Sequence, residues 1–288
     1  MRALFLLCAF LAGCTAAPAP RSLVGEPYRM GGVWSYPRED FTLVETGLAT
    51  RHTGPGWNAR TANGEAWSAN RALAAHRTLQ LPAVVTVTNL ENGRSLTLRV
   101  NDRGPVRAGR VIGLSDRAAD LLGVPAGGTA QVRVSVDGER SRALSEALPG
   151  REAQRVAIEA APRAAVAAEN LAPPPDTRAV GANRATPVLA TAAEAPAAPP
   201  RDLPLPETVT QGPPAPGRLQ VEAGTLSRPD AAQRLAARVP GARVEAFGPR
   251  RDQQYRVRLG PFADAAGADA ALERMLAAGV SGARILVD

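Results

Sequence analysis

The segment RVNDRGP, residues 99–105, is a strand that runs directly into a carboxylate. Upstream, SLTLRV (95–100) alternates with the period-2 pattern of a half-buried strand. Asn101 and Asp102 follow at once, and Gly104-Pro105 turns the chain away. Asn and Asp are ordinary turn residues at such a junction. Asp102 therefore has two readings at this level: a strand-ending turn residue, or the acid of a site.

Working outward, TNLENGRSL (88–96) sets Asn92-Gly93 between two alternating runs, a strong hairpin signal. TGLAT (46–50), VVTVTNL (84–90), VIGLS (111–115) and TAQVRVSV (129–136) read as further short strands. SDRAADLLG reads as one helix, capped by Ser115 and stopped by Gly123. Several short strands with a single helix predict a small β-barrel over residues 27–137.

Beyond it, residues 138–217 shift to Ala, Pro, Arg and Glu, with APPPDTR and EAPAAPPRDLPLP. Such a composition predicts a disordered, partly polyproline II linker. Order returns over residues 218–288, where RLQVEAGTL, PDAAQRLAARV, ARVEAF, QYRVRLGPF, ADAAGADAALERMLAAG and ARILV read strand–helix–strand twice. This internal repeat predicts a four-stranded antiparallel sheet with two helices on one face. The fold class is thus mainly β plus α+β.

The N-terminus, MRALFLLCAFLAGC, has one basic residue and a short apolar run, the pattern of a secretory signal and not of a membrane span. LAGC resembles a bacterial lipobox: residues 1–13 would be removed as a signal peptide and Cys14 would carry lipid at the head of a tether spanning 14–26. The expected location is an envelope membrane facing the periplasm, the outer membrane by analogy. Cys8 and Cys14 are the two cysteines of the chain, so no disulfide, thiolate nucleophile or zinc site is expected, and no cofactor. The 34 basic residues, all arginine, exceed the 27 acids. They are scattered among those acids instead of forming a run, which argues against a nucleic-acid partner.

Three stretches taken together, GPGWNARTANGEAWSANRALAAHRTLQLP (54–82), VTNLENGRSLTLRVNDRGP (87–105) and GRVIGLSDRAADLLGV (109–124), resemble the rare lipoprotein A family. The match covers most of 27–137, including EPYRMGGVWSYP, and TANGE, AAHRTL and NDRGP in this order are its signature. The resemblance implies a six-stranded double-psi β-barrel. The implied activity is a septal, endolytic lytic transglycosylase acting on peptidoglycan strands stripped of stem peptides. In that chemistry the C6 hydroxyl of MurNAc attacks its own anomeric carbon and leaves a 1,6-anhydro end. One acid protonates the leaving oxygen and then takes up the hydroxyl proton. The C-terminal unit resembles a SPOR domain, which implies glycan binding, septal enrichment and contact with division proteins.

Carried over residue by residue, the match points to Asp102 and Glu65 as groove carboxylates and to His76 as a positioning group or a core histidine. Trp57 and Trp67 are candidate sugar-stacking faces, and Tyr255 and Val257 are expected on the open face of the terminal sheet. Arg103 reads as structural. The chain departs from the family at RHT (51–53), where tryptophan-tyrosine-glycine is usual, and at Gly113, where relatives carry aspartate. The second departure leaves open an alternative: a glycan-binding barrel that cuts nothing.

Overall fold

The computed structural model describes residues 19–56, 59–149 and 205–288. Six strands form the barrel: β3 (Val44–Arg51), β4 (Leu73–His76), β5 (Ala83–Asn89), β6 (Arg94–Asp102), β7 (Arg110–Leu114) and β8 (Thr129–Val136), preceded by a small hairpin of β1 (Tyr28–Met30) and β2 (Val33–Ser35). Their order is β4-β7-β3-β8-β5-β6, and the end of β6 returns to pair with β4, so the sheet closes into a ring while the start of β6 keeps an open side. Two of the pairings, β3–β7 and β4–β6, are parallel. The interior is filled by the apolar residues of the alternating strands, among them Val85, Val87, Leu96, Leu98, Val100, Ile112 and Val132. Helix α1 (Asp116–Leu122) has the expected ends: Ser115 Oγ accepts from Ala118 N, and Gly123 is left-handed at φ 74°.

Register across the closed ring decides where the site lies. Asp102 on β6 faces Ala75 on β4, Ala75 faces Gly113 on β7, and Gly113 faces Thr50 on β3. One row of the barrel therefore runs carboxylate, methyl, hydrogen, hydroxyl. The two smallest side chains lie beside Asp102.

The terminal domain is the expected four-stranded antiparallel sheet, β10 (Leu219–Leu226), β11 (Arg243–Phe247), β12 (Gln254–Phe262) and β13 (Arg284–Val287), in the order β11-β12-β10-β13. The two helices expected from the repeat, here α3 (Pro229–Ala237) and α4 (Ala265–Ala277), pack against it. It is docked on the barrel. Arg110 is buried against Asp269 of α4, and Thr46 Oγ1 donates to Val287 O at 2.6 Å. Leu48 joins the terminal core, and at Gly109 (φ 75°) Leu272 and Ile285 occupy the space a side chain would need.

Order also extends into stretches expected to be linker and tether. Gly138–Glu146 forms helix α2, capped by Asp137 and held on β5 by Ser141 Oγ, which accepts from Val84 N at 2.9 Å. Val209–Gln211, here β9, adds to the start of β6 as a further strand. Extended, proline-flanked chain is the conformation a sheet edge can pair with, so composition alone did not exclude it. Leu23 bridges Leu81, and Arg103 donates to the carbonyl of Val24, which ties down the tether from its Val24 end. The remainder of the expected linker, 150–204, lies outside the described residues.

Candidate active site

Asp102 ends β6 with its carboxylate over the small row described above. Its Oδ1 accepts from the backbone N–H of Ala62 at 3.0 Å, and its Oδ2 lies 3.1 Å from His52 Nε2. Asp102 is 7% exposed. The turn role and the site role thus coincide: a fixed side chain points along the row.

His52 follows β3, with its N–H bonded to Leu114 O at 2.7 Å. Its ring is cradled by two glycines. A Cβ on Gly113 would meet His52 Cβ at 2.8 Å, and one on Gly104 would meet His52 Cε1 at 2.9 Å. Trp67 closes a third side with an edge contact, centroids 5.0 Å apart and planes at 86°. Trp67 in turn lies against Gly54, where the indole occupies the place of a side chain. His52 was missed in the sequence because RHT registered only as a departure from the family. One signal was available: a glycine inside an apolar strand, VIGL, marks a close approach by another group. Position 113 is closed to aspartate as long as His52 keeps this place.

Glu65 is 6% exposed and belongs to the turn that also supplies Ala62. The Arg99 guanidinium grips both of its oxygens, Nη2–Oε1 at 2.5 Å and Nε–Oε2 at 3.0 Å. Asn63 Nδ2 and Asn101 Nδ2 donate at 2.8 and 3.1 Å. Burial works against the charged form, but the hydrogen bonds and charge of Arg99, with the two amides, outweigh it and hold the carboxyl below its ordinary value. Glu65 is therefore not an acid held protonated by an apolar cleft. It clamps the 61–65 turn onto β6 and so fixes the N–H that Asp102 receives.

His76 is not brought to either carboxylate. Its Nδ1 accepts from the N–H groups of Thr78 and Leu79 at 3.2 and 3.1 Å, which puts the ring proton on Nε2, 2.7 Å from Glu45 Oε1. Neighbouring strand residues point to opposite sides, so Ala75 joins the Asp102 row and His76 faces away from it. It lines a separate groove of about 310 Å³ with Trp34, Tyr36 and Glu45. Arg103 is structural, as expected: it donates to the carbonyls of Val24, His76, Arg77 and Leu79.

The expected glycan face of the terminal sheet needs correction. Val257 is 0% exposed in the domain core and Tyr255 packs against that core, so both lie on the helix side. In YRVRL the apolar residues point inward and the arginines outward. The face away from the helices carries Arg256, stacked 3.5 Å over Phe247, and Arg258, which is buried and paired with Glu222 and Asp288. Trp57 and Cys14 lie outside the described residues.

Barrel and terminal domain define a class. Residues 50–134 match the family model of a lytic transglycolase domain and residues 215–285 that of a SPOR domain. The chain is thus a lytic-transglycosylase-type double-psi barrel followed by a SPOR domain. Among curated proteins it is 36% identical over 270 residues to the endolytic peptidoglycan transglycosylase RlpA of Pseudomonas aeruginosa PAO1, covering 87% of this chain and 73% of that one. The UCBPP-PA14 protein of the same name is 37% identical with the same shares. The Campylobacter jejuni protein of that name is 43% identical over 116 residues, 39% of this chain and 42% of that one. The chain belongs to the RlpA family.

Proposed function

We propose that this chain cleaves the MurNAc–GlcNAc bonds of peptidoglycan strands lacking stem peptides and leaves 1,6-anhydro ends. The observation that carries the reading is Asp102, a buried carboxylate fixed by Ala62 and paired with an imidazole at the mouth of a row of small residues. Intramolecular attack by the C6 hydroxyl needs no second carboxylate to activate water, which suits a site whose other acid, Glu65, is held by Arg99. The small residues Ala75 and Gly113 leave the row beside Asp102 narrow enough for the His52 ring to sit over it.

The terminal domain supplies substrate retention, with peptidoglycan as its partner, and concentrates the chain at the division septum. Cys14 carries the lipid that holds the chain to an envelope membrane. The anchor reading expects Cys14→Ser to leave the membrane fraction; a variant that stays membrane-bound contradicts it. The enzymatic reading is tested by digesting stripped glycan with the full chain and weighing the products. Ends lighter by one water than hydrolytic ends support transglycosylation. Intact glycan retained on the protein supports the alternative, a barrel that binds and does not cut.

A further inference from the structure

We propose that His52 is a catalytic residue of this chain, with Nδ1 exchanging the proton with the glycan and Asp102 as the carboxylate that orients the ring. This rests on the bond cleavage proposed above and names the atom that carries the proton.

Asp102 has no oxygen left unengaged. Ala62 N–H can only donate, which fixes Oδ1 as an acceptor, and Oδ2 faces His52 Nε2 at 3.1 Å. With the carboxylate accepting, Nε2 is the donor, so the second ring nitrogen is the one free to take or give a proton. Nδ1 has no hydrogen-bond partner among the described residues. A carboxylate that sets the tautomer of an imidazole, whose other nitrogen meets the substrate, is a recurring division of labour in proton-transfer sites. The cradle is built for a ring and for little else: Gly113 and Gly104 each lack the one atom that would collide with it, and Trp67 braces its edge.

In the forward step the imidazolium Nδ1–H passes its proton to the glycosidic oxygen. The C1–O bond breaks, its electron pair staying on that oxygen, which becomes the GlcNAc 4-hydroxyl. The MurNAc C6 oxygen bonds to C1, and its proton returns to Nδ1. Atoms and charge balance with no water consumed.

Asp102 is the charged group in contact with the ring. β7 presents Gly113 to it and the turn after β6 presents Gly104. Glu65, near Trp67 in sequence, is turned to Arg99. Arg51 is turned to Asp116 and Asp120 of α1, and Arg103 to backbone carbonyls.

The test compares the full chain with His52→Gln and Gly113→Ala on stripped glycan strands, with thermal unfolding of each. Glutamine can keep a hydrogen bond to Asp102 but cannot cycle a proton. Alanine at 113 leaves His52 in the chain and displaces its ring. Both variants should fold and lose anhydro ends by on the order of 100-fold. An active wild type with an equally active His52→Gln overturns this assignment alone. A wild type that forms no anhydro ends overturns it together with the proposed activity.

Discussion

Glu65 and Asp102 are buried to the same degree, 6% and 7% exposed, and both are tied to the end of β6. They differ in what surrounds them. Glu65 receives a guanidinium on both oxygens and two side-chain amides, whereas Asp102 receives one backbone amide and one imidazole. Burial by itself therefore does not make a carboxyl group a proton donor. The sum of donors and charges decides, and here it makes Glu65 a clamp and leaves Asp102 paired with an imidazole.

The contrast breaks most visibly in stability. Glu65→Gln leaves Arg99 buried without its counter-charge and should destabilise the barrel by about 3–5 kcal/mol, read by urea unfolding. Loss of activity in that variant then follows loss of structure. A variant that is as stable as the parent yet inactive would return Glu65 to the chemistry. The sign of its shift gives a second reading of the same pair. The folded value is lowered from 4.5, so the stabilisation is fully present above that pH and is lost as pH falls through the lowered value. The parent should therefore show an acid-unfolding limb in that window, and Glu65→Gln should lack this contribution.

His76 sharpens the comparison with a smaller effect. Deleting the ring orphans the N–H groups of Thr78 and Leu79, at about 1–3 kcal/mol each. Asparagine puts an acceptor oxygen near the place of Nδ1. His76→Asn should recover much of the stability lost in His76→Ala and retain anhydro-end formation. An Asn variant that folds like the parent but cuts nothing would make His76 catalytic.

Much of this fold was legible because strand alternation, the Asn92-Gly93 turn and the Ser115 and Gly123 caps are local signals. Asp102 was legible for the same reason, as the carboxylate closing an alternating run. His52 was not, since its partners Gly104, Gly113 and Asp102 come from strands and turns 50 or more residues on and are joined only by closure of the ring. The same holds for Glu65: TANGE marks an acid in a turn, but its capture by Arg99 depends on that turn folding over β6. The face of Val257 was a local matter that the YRVRL alternation already contained. The ordered ends of the linker depend on tertiary partners, Val84 for α2 and the β6 edge for 209–211.

The most direct measurement is the yield of anhydro ends from stripped glycan with Asp102→Asn, taken beside its unfolding curve. Asparagine keeps the size and the acceptor for Ala62 N–H but not the charge that pairs with His52. The account predicts stability within about 1 kcal/mol of the parent and a yield lower by on the order of 100-fold. Equal yields from the two proteins would contradict it, and Asp102 would then be only the residue that turns the chain out of β6.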